Sequence, residues 1–521
     1  MEHAVVWFKR DLRIHDHIPL AQAAKHGRLS CVYFIEPSLW RSPDAATQHY
    51  QFILESLRDL HVQLAQIDLK LNLLVGEATD CLNRLLQAEP FAALYSHEET
   101  GNAISYERDK AVARWCRAHD IRWHQFPQFG VRRGLHDRDH WKAAWEAFCS
   151  QPQVPEPQGV RGSLLHIIDK PPLADTLGLI DCDPPARQRG GRQMGMQTLE
   201  DFLGNRSQHY RGGISSPLSA PTACSRLSAY LSYGCLSMRE VFQATLACMQ
   251  SLPAQHSRQK QGLQSFVSRL YWHCHFIQKL EDEPELEYRN LHRGYDGLRE
   301  PHWSEERFEA LREGRTGWPL VDACVAMLSQ TGWLNFRMRA MLVSVAAYPL
   351  WLHWQQVGHW LARQFLDYEP GIHWSQMQMQ SGTTGINVPR IYNPIKQARD
   401  QDPKGVFVRR WLPAMHRVPD AWVFEPWRMP ANLQSVCGVN VGRDIAEPIC
   451  DLESSTRQAK QKVFALRADP LIKAEKKVIV KKHGSRKQLE PTKAAGPRRT
   501  RTTTKRPKMA LTNSTQLTLD L

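Results

Sequence analysis

The segments TGWLNFRMRAM (331–341) and FLDYEPGIHW (365–374) decide how the second half of this chain is interpreted. They place the charged residues Arg337, Arg339 and Asp367 among tryptophans, in a stretch whose pattern predicts mostly buried helix. A buried charge is costly unless it is paired or holds a polar ligand. The two segments therefore predict a pocket for a large planar ligand with charged edges.

Length and composition indicate a folded protein of two or three domains. The chain has 521 residues, of which 42% are hydrophobic. Its 12 cysteines form no CxxC pair and favour reduced core thiols over a disulfide framework or a zinc site. The longest apolar run, 340–354, contains Pro349 and His353, so we expect no membrane association. The N-terminus enters a strand pattern directly, which favours a cytoplasmic protein.

Positive charge is concentrated at the C-terminus. The net charge is +14, and the segment from Lys473 to Lys508 holds 14 Lys/Arg against two Glu. Few of its residues are apolar, so residues 468–521 are predicted to form a disordered tail. Such a tail binds polyanions through counterion release, which favours DNA as a partner and association with the nucleoid. A tail that only aids solubility is the alternative.

The chain divides into three parts before the tail. Four short apolar runs alternate with helical patterns such as 46–66 and predict a Rossmann-like α/β domain with a parallel sheet over residues 1–135. These runs are 4–8, 31–35, 71–75 and 93–97. Residues 136–206 are rich in Pro, Gly and Arg and predict an extended linker. Helical periodicity without strand signals then predicts an all-α domain over 207–467.

Several motifs carry a resemblance to a known family. They are VVWFKRDLRIHDH (5–17), TACSRLSAYLSYGCLS (222–237), GRTGWPLVDACVAML (314–328), TGWLNFRMR (331–339) and RIYNPIKQ (390–397). In this order, and over about residues 3–467, the chain resembles the photolyase/cryptochrome flavoproteins, with features of a divergent bacterial-type branch. The resemblance implies an α/β antenna domain and a helical domain that binds FAD in a bent conformation.

Residues around TACSRLS form the first part of the predicted cofactor site. Small hydroxyl residues precede a helical pattern there, so Ser225, Ser228 and nearby backbone N–H groups could meet a diphosphate; an ordinary helix cap is the alternative. Cys224 stands where the family usually has Thr. The resemblance implies these cofactor-binding residues: Tyr210, Cys224, Ser225, Arg226, Leu227, Ser228, Arg269, His273, Phe276, Arg339, Asp367, Tyr368 and Glu369.

The resemblance also assigns catalytic roles. Arg339 and Asp367 match an ion pair beside the flavin ring, which can stabilise a reduced, anionic flavin; an ordinary pair between two helices is the alternative. Trp374, Trp354 and Trp303 match a chain of indoles that carries electrons from the surface to photoexcited FAD. For any single one of these tryptophans, core packing is the alternative role.

The predicted lesion site departs from the family pattern. Trp272 keeps the family's lesion-stacking position, but Arg269 replaces a Glu; its guanidinium can only donate hydrogen bonds and remains charged. The second lesion-facing Trp falls near Gln376, and the paired histidines of (6-4) photolyases fall at Asn335 and Phe336. The loop DYEPGIHW is short, and no Asn facing flavin N5 is identifiable. Dimer repair is therefore open.

Two further clusters allow alternatives. His273 and His275 flank Cys274, but alternate residues on a helix point apart, which disfavours a metal site. His97, Glu98 and Glu99 follow a predicted strand, where either an antenna chromophore of unknown identity or a solvated loop fits.

The leading functional hypothesis is a blue-light-driven FAD enzyme, a monomer, that repairs pyrimidine photolesions in DNA. A cryptochrome-type photoreceptor without repair activity is the first alternative, and a light-independent DNA-binding protein is the second. The final residues QLTLDL (516–521) resemble the peptide by which bacterial proteins bind the replication sliding clamp. Gln516 would make polar contacts, and Leu517, Leu519 and Leu521 would fill an apolar groove.

Overall fold

The computed structural model of the chain describes residues 2–25, 27–135 and 138–484. The first domain is a parallel sheet with strand order β3-β2-β1-β4-β5 and a short sixth strand beside β2. The strands are β1 (Glu2–Phe8), β2 (Gly27–Ile35), β3 (Leu71–Val75), β4 (Ala93–His97), β5 (Arg122–Phe126) and β6 (Arg161–Gly162). The order reverses between β1 and β4, so the carboxyl ends of these two strands border a crevice.

The four predicted strands are present, and the predicted α/β class is confirmed. The sequence did not predict β5, because RWHQF is mostly polar and only half-buried. The helices of this domain are α1 (Ile18–Ala23), α2 (Pro37–Trp40), α3 (Thr47–Ala65), α4 (Ala78–Ala88) and α5 (Ala103–Ala118).

The segment expected to be an extended linker contains regular structure. It includes α6 (Trp141–Ser150), β6 and α7 (Arg192–Asp201), and a π-helical turn (Phe202–Arg206) leads into the next helix. Trp141 and Trp145 of α6 are buried against Tyr271 of the helical domain. Burial of these two indoles stabilises the folded segment, and an extended, solvated linker would not gain this stabilisation.

Helices make up the second domain, as predicted. They are α8 (Ser207–Gly213), α9 (Ala220–Ala223), α10 (Ser228–Ser232), α11 (Met238–Ser251), α12 (Ser257–Asp282), α13 (Glu305–Arg312), α14 (Pro319–Thr331), α15 (Phe336–Ala347), α16 (Trp354–Gln364), α17 (Pro370–Ser381), α18 (Pro394–Gln401), α19 (Val406–Trp411), α20 (Ala431–Cys437) and α21 (Leu452–Ala468). Within the described part of the chain, no helix combines the length and apolar character needed to span a bilayer.

A final helix, α22 (Pro470–His483), occupies the start of the segment predicted to be disordered. Ile472, Ile479 and His483 are buried, and the Nε2 atom of His292 hydrogen-bonds the carbonyl of Ile472 at 2.9 Å. The predicted beginning of the tail at residue 468 therefore needs correction, because an apolar stripe gives α22 a face to bury. The clamp-like peptide 516–521 lies outside the described residues.

The helical domain meets the α/β domain at the turn after α10. Gly234 adopts φ +65°, and its carbonyl accepts a hydrogen bond from Nη1 of Arg13 at 2.9 Å. The backbone N–H of Leu12 donates to the carbonyl of Tyr233 at 3.2 Å. A Cβ atom at Gly234 would collide with the Arg10 carbonyl and approach the Cα atom of Asp11 to 2.5 Å.

We expect Gly234→Ala to lower the free energy of unfolding by at least about 2 kcal/mol, because it adds a backbone collision to an unfavourable φ. Gly297→Ala is the matched control, since Gly297 has φ +79° and, apart from its two chain neighbours, no described residue lies within 4 Å of the point that its Cβ would occupy. Urea denaturation of both variants measures the difference. Equal losses would contradict the close approach of the domains at Gly234.

Candidate functional site

A cavity of about 970 Å³, here called the main cavity, opens between α8, α12, α15 and the loop before α10. Eleven of the residues predicted to bind the cofactor line it. They are Tyr210, Cys224, Ser225, Arg226, Leu227, Ser228, Arg269, His273, Phe276, Arg339 and Asp367.

Positive charge dominates the main cavity. Arg226, Arg269 and Arg339 line it, whereas Asp367 is the one carboxylate among the described lining residues. Arg226 has φ +60°, its guanidinium stacks 3.9 Å from the ring of Trp333, and burial lowers its pKa to about 10. A half-buried arginine held at positive φ beside an aromatic ring suits an anion-binding site.

Arg339 and Asp367 form the predicted ion pair. Nη1 and Nη2 of Arg339 donate to the two carboxylate oxygens of Asp367 at 3.0 and 3.1 Å, and Nε donates to the Leu334 carbonyl at 2.6 Å. Burial raises the pKa of Asp367, but Arg339 and a hydrogen bond from Ser228 outweigh it and hold that pKa below its usual value.

A second space of about 500 Å³, the inner cavity, lies between α15 and α17. It shares Phe336, Arg339, Asp367 and Ile372 with the main cavity. The remaining two predicted cofactor residues, Tyr368 and Glu369, line the inner cavity. A ligand in the main cavity can therefore extend past the Arg339–Asp367 pair toward α17.

Tyr368 and Glu369 also contact the α/β domain. The hydroxyl of Tyr368 donates to Asp44 at 2.6 Å, and Nη2 of Arg10 donates to Glu369 at 2.9 Å. Burial raises the pKa of Glu369 to about 7, and the charge of Arg10 opposes this rise. One short segment thus connects the inner cavity to the first domain.

The main cavity contains buried polar atoms without hydrogen-bond partners, and these indicate whether FAD would fit there. Within the described chain, Nε of Arg269, Nε2 of His273 and Oδ1 of Asn335 have no hydrogen-bond partner, and all three residues line the main cavity. Burial lowers the pKa of His273 to about 4, so its imidazole is neutral. Both donors and acceptors are therefore left for a ligand. Together with the three arginines, they fit a dinucleotide with a diphosphate and polar heterocycles.

Among the described residues that line the main and inner cavities, none of the three predicted tryptophans is present: Trp374 belongs to α17, Trp354 begins α16, and Trp303 precedes α13. Trp374 is fully buried, and its ring centroid is 5.9 Å from that of Trp354 in a T-shaped arrangement. Trp303 is half-buried and packs against Phe308, whose ring is 6.3 Å from Trp360. The structure brings the first two indoles into contact. Trp303 has no ring contact with Trp354 among the described residues.

Residues on α12 face different environments. Trp272 is buried and stacks 5.7 Å from Phe276, and it is not among the described residues lining the main or inner cavity. His273 faces the main cavity, whereas His275 packs against Trp141. His273 and His275 therefore diverge, as predicted from helix geometry.

Sequence reasoning missed several residues of the site. Asn335 anchors the main cavity by donating from Nδ2 to the carbonyls of Ile214 and Ser215, at 3.0 and 2.9 Å. Gln376 and Gln380 line the inner cavity. A buried glutamine on a mostly apolar helix face was the available signal for Gln376, but the resemblance marks this position only as that of a missing tryptophan.

A third space of about 850 Å³, the sheet-end cavity, lies at the carboxyl ends of β1, β2 and β4. Its lining includes Trp7, Arg10, Glu36, Glu99 and Tyr368. Burial raises the pKa of Glu36 to about 7, against the effect of Arg108, and its Oε2 atom has no partner among described residues.

His97 does not line this sheet-end cavity. Its Nδ1 atom lies 2.7 Å from Asp11 Oδ2, and His17 Nε2 lies 2.9 Å from the same oxygen. These three buried groups could suggest a metal site. However, Nδ1 of His17 accepts a hydrogen bond from the Leu20 N–H, so Nε2 carries the proton and points it at Asp11. The cluster is a hydrogen-bond network.

Comparison with known proteins agrees with this geometry. Residues 4–130 match the model of DNA photolyase, and residues 266–465 match the FAD binding domain of DNA photolyase. The chain is 29% identical to a cryptochrome DASH of Gloeobacter violaceus, covering 87% of this chain and 93% of that protein. It is 24% identical to a deoxyribodipyrimidine photo-lyase of Alkalihalophilus pseudofirmus, covering 87% and 96% of the two chains.

A solved structure shares the fold. The class III photolyase from Agrobacterium tumefaciens superposes with a TM-score of 0.77 at 23% identity, covering 90% of this chain and 98% of that one. The two family matches lie on the α/β domain and on the helices around the main cavity. The chain belongs to the photolyase/cryptochrome family.

Proposed function

We propose that this protein is a blue-light-driven, FAD-dependent photolyase that repairs pyrimidine photolesions in DNA. The observation that carries the proposal is the main cavity, where three arginines and unpaired buried polar atoms surround a space that continues into the inner cavity past the Arg339–Asp367 pair. When bound there, FAD supplies light-driven electron transfer to a lesion. Lifting a damaged base out of the duplex costs little compared with an intact one.

In this proposal, the role of each residue follows from its position around the cofactor. Arg226 and Tyr210 bind the diphosphate side of the cofactor, and the half-buried guanidinium of Arg226 is a source of affinity there. Arg339 offsets negative charge on the ring, while Asp367 keeps its guanidinium in place. Trp374 and Trp354, in ring contact, return electrons to the site, and Trp303 extends their route toward the surface.

The residues of the lesion site bear on which light-driven function operates. Arg269 replaces an acid with a permanent cation, so it contacts a lesion carbonyl or phosphate and cannot transfer a proton. The family resemblance is what assigns lesion stacking to Trp272, which is buried against Phe276 in this structure. A photoreceptor without repair is the second candidate, favoured by Arg269 and by Gln376 at the place of a stacking tryptophan. A DNA-binding protein without light chemistry would leave the arginines of the main cavity without a ligand.

We also infer that the sheet-end cavity holds an antenna chromophore. Its aromatic lining suits a planar ring, and the unpaired Oε2 of Glu36 suits a ligand with an N–H donor. A related archaeal photolyase, from Sulfolobus tokodaii, is described with two FAD molecules, which implies a novel light-harvesting cofactor in that protein. This supports a second heteroaromatic ligand here.

DNA is the proposed partner, bound by the helical domain and by lysines of the C-terminal segment. Docking of QLTLDL on a sliding clamp and association with the nucleoid remain predictions from the sequence. A pull-down with purified clamp tests the peptide. We expect the wild type to bind the clamp and Leu519→Ala to lose that binding. If the wild type does not bind the clamp, this part of the proposal is wrong.

Substitution of Arg226 tests the cofactor site. We expect Arg226→Met to weaken FAD binding about tenfold or more, because a charged hydrogen bond is lost from a buried site. Fluorescence quenching of FAD added to the apoprotein measures the dissociation constant. Arg312→Met, which removes a surface arginine paired with Glu309, is the control and should leave it unchanged. Equal affinity in both variants would contradict the role of Arg226.

The tryptophan route has a direct spectroscopic test. We expect Trp374→Phe to lose most photoreduction of bound FAD under blue light, since phenylalanine is much harder to oxidise than tryptophan. Trp318→Phe is the matched control, because Trp318 is likewise buried in the same core but has no ring contact with Trp374 among described residues. Photoreduction that persists in Trp374→Phe would exclude this route.

Repair itself is decided by a light-dependent assay on oligonucleotides with defined lesions. Lesion loss under blue light, and none in the dark, is the expected result for the wild type. A yellow protein that photoreduces but repairs neither a cyclobutane dimer nor a (6-4) product would favour the photoreceptor. A protein that retains no FAD would contradict both light-driven functions.

A further inference from the structure

The carboxamide of Gln376 has a fixed orientation on α17. Gln376 is 8% exposed and lines the inner cavity. Its Oε1 atom accepts a hydrogen bond at 3.1 Å from Nε2 of Gln380, which lies one helical turn later and is also buried. With Oε1 engaged by Gln380, the Nε2 group of Gln376 must point away from that partner. The pair therefore presents one oriented N–H donor.

This donor is unused within the protein. Nε2 of Gln376 is buried and has no hydrogen-bond partner among the described residues. A buried donor without an acceptor is costly, and native structures rarely keep one without a reason. The neighbouring Gln378 shows the contrast, because its amide contacts Leu291, Leu286 and Arg289 of the segment after α12. Gln378 is structural, whereas Gln376 has an unmet hydrogen bond.

The surroundings of Gln376 indicate what kind of acceptor completes it. Most of the inner cavity is apolar, with walls formed by Phe336, Ala340, Val343, Phe365, Ile372 and Met377. Of the charged groups, Arg339 and Asp367 line both cavities, and Glu369 lies two residues after Asp367 in the inner cavity. A flat, largely apolar ring with a carbonyl at its edge matches apolar walls and a single donor.

We propose that Gln376 donates a hydrogen bond to a ring carbonyl of a planar heterocycle bound in the inner cavity, and that Gln380 orients it for this contact. The inference rests on the proposed function for the identity of the ring. Two sources carry the same chemistry: the isoalloxazine of FAD and a pyrimidine lifted out of DNA. Both present a conjugated C=O that accepts from an amide N–H.

The experiment compares three variants in two arms. Gln376→Leu removes the donor, Gln380→Leu removes its orienting bond, and Met341→Leu changes a buried side chain of α15 that is not among the described residues lining either cavity. In the first arm, apoprotein is titrated with FAD, and infrared spectra of the bound flavin report its carbonyl stretching bands. In the second arm, FAD-loaded protein is titrated with lesion-containing and undamaged oligonucleotides.

We expect Gln376→Leu to weaken binding about tenfold in one arm, with a smaller loss for Gln380→Leu and none for Met341→Leu. Weaker FAD binding with a shifted carbonyl band identifies the flavin as the acceptor. Unchanged FAD binding with reduced preference for the lesion identifies the pyrimidine. Thermal unfolding of the apoprotein should be unchanged or shifted upward in Gln376→Leu, because its unmet donor is removed.

Other results would overturn the proposal. Wild-type behaviour of Gln376→Leu in both arms would show that the donor meets no ligand. A lower unfolding temperature of its apoprotein, with binding reduced only in proportion to the folded fraction, would show a structural role. A wild type that holds no FAD would contradict the proposed function and this inference together. If the wild type binds FAD but shows no preference for lesion-containing DNA, the FAD titration alone decides, and unchanged FAD binding in Gln376→Leu contradicts the proposal.

Discussion

Three consecutive side chains, those of Asp367, Tyr368 and Glu369, hold the two domains and the cofactor cavities together. Asp367 binds Arg339 of α15, Tyr368 donates to Asp44, and Glu369 binds Arg10 of the α/β domain. Pro370 then begins α17, so the direction of this helix follows from where the three side chains are bonded. The positions of Trp374 and Gln376 depend in turn on that direction.

The charges around this segment are balanced only in part. Arg339 and Arg10 each form an ion pair with a carboxylate, whereas Arg226 and Arg269 of the main cavity form none among the described residues. Loss of water contact lowers the pKa of Arg226, and the charge of Asp367 offsets this only in part, so the charged side chain is costly in the free protein. An anionic ligand removes that cost and stabilises the folded state according to its affinity and concentration. The cavity is therefore better suited to a bound state than to an empty one.

The motifs of the helical domain predict residues that share the same cavities, because the order of the motifs along the chain fixes which helices are neighbours. The thirteen residues assigned to the cofactor lie in the two adjoining cavities. The sequence could not show that Asn335 donates to the carbonyls of Ile214 and Ser215, because these residues are distant from it along the chain. Pairing across such distances is decided by tertiary packing and not by local pattern.

The same limit explains the differences in the fold. β5 is polar enough to resemble a loop, and its pairing with β4 supplies what its composition does not indicate. The composition of α22 is that of a disordered segment, with five lysines, yet Ile472 and Ile479 share a face that the body of the protein covers. The local charge predicted disorder, but the burial of Ile472, Ile479 and His483 stabilises the helix.

The geometry of the indoles gives the proposed electron route a direction. Trp374 is locked against Gly358, where a Cβ atom would come within 2.5 Å of its ring, and Trp354 donates from Nε1 to Asn290 at 2.8 Å. Trp303, by contrast, is half-buried, and its Nε1 donates to Glu305 at 2.8 Å. An oxidised indole is a cation, so water and a carboxylate stabilise it at Trp303 more than apolar packing does at Trp374. In the proposed route, positive charge generated beside the cofactor would therefore be more stable at Trp303 than at Trp374, and this separation would oppose recombination with the electron left on the cofactor.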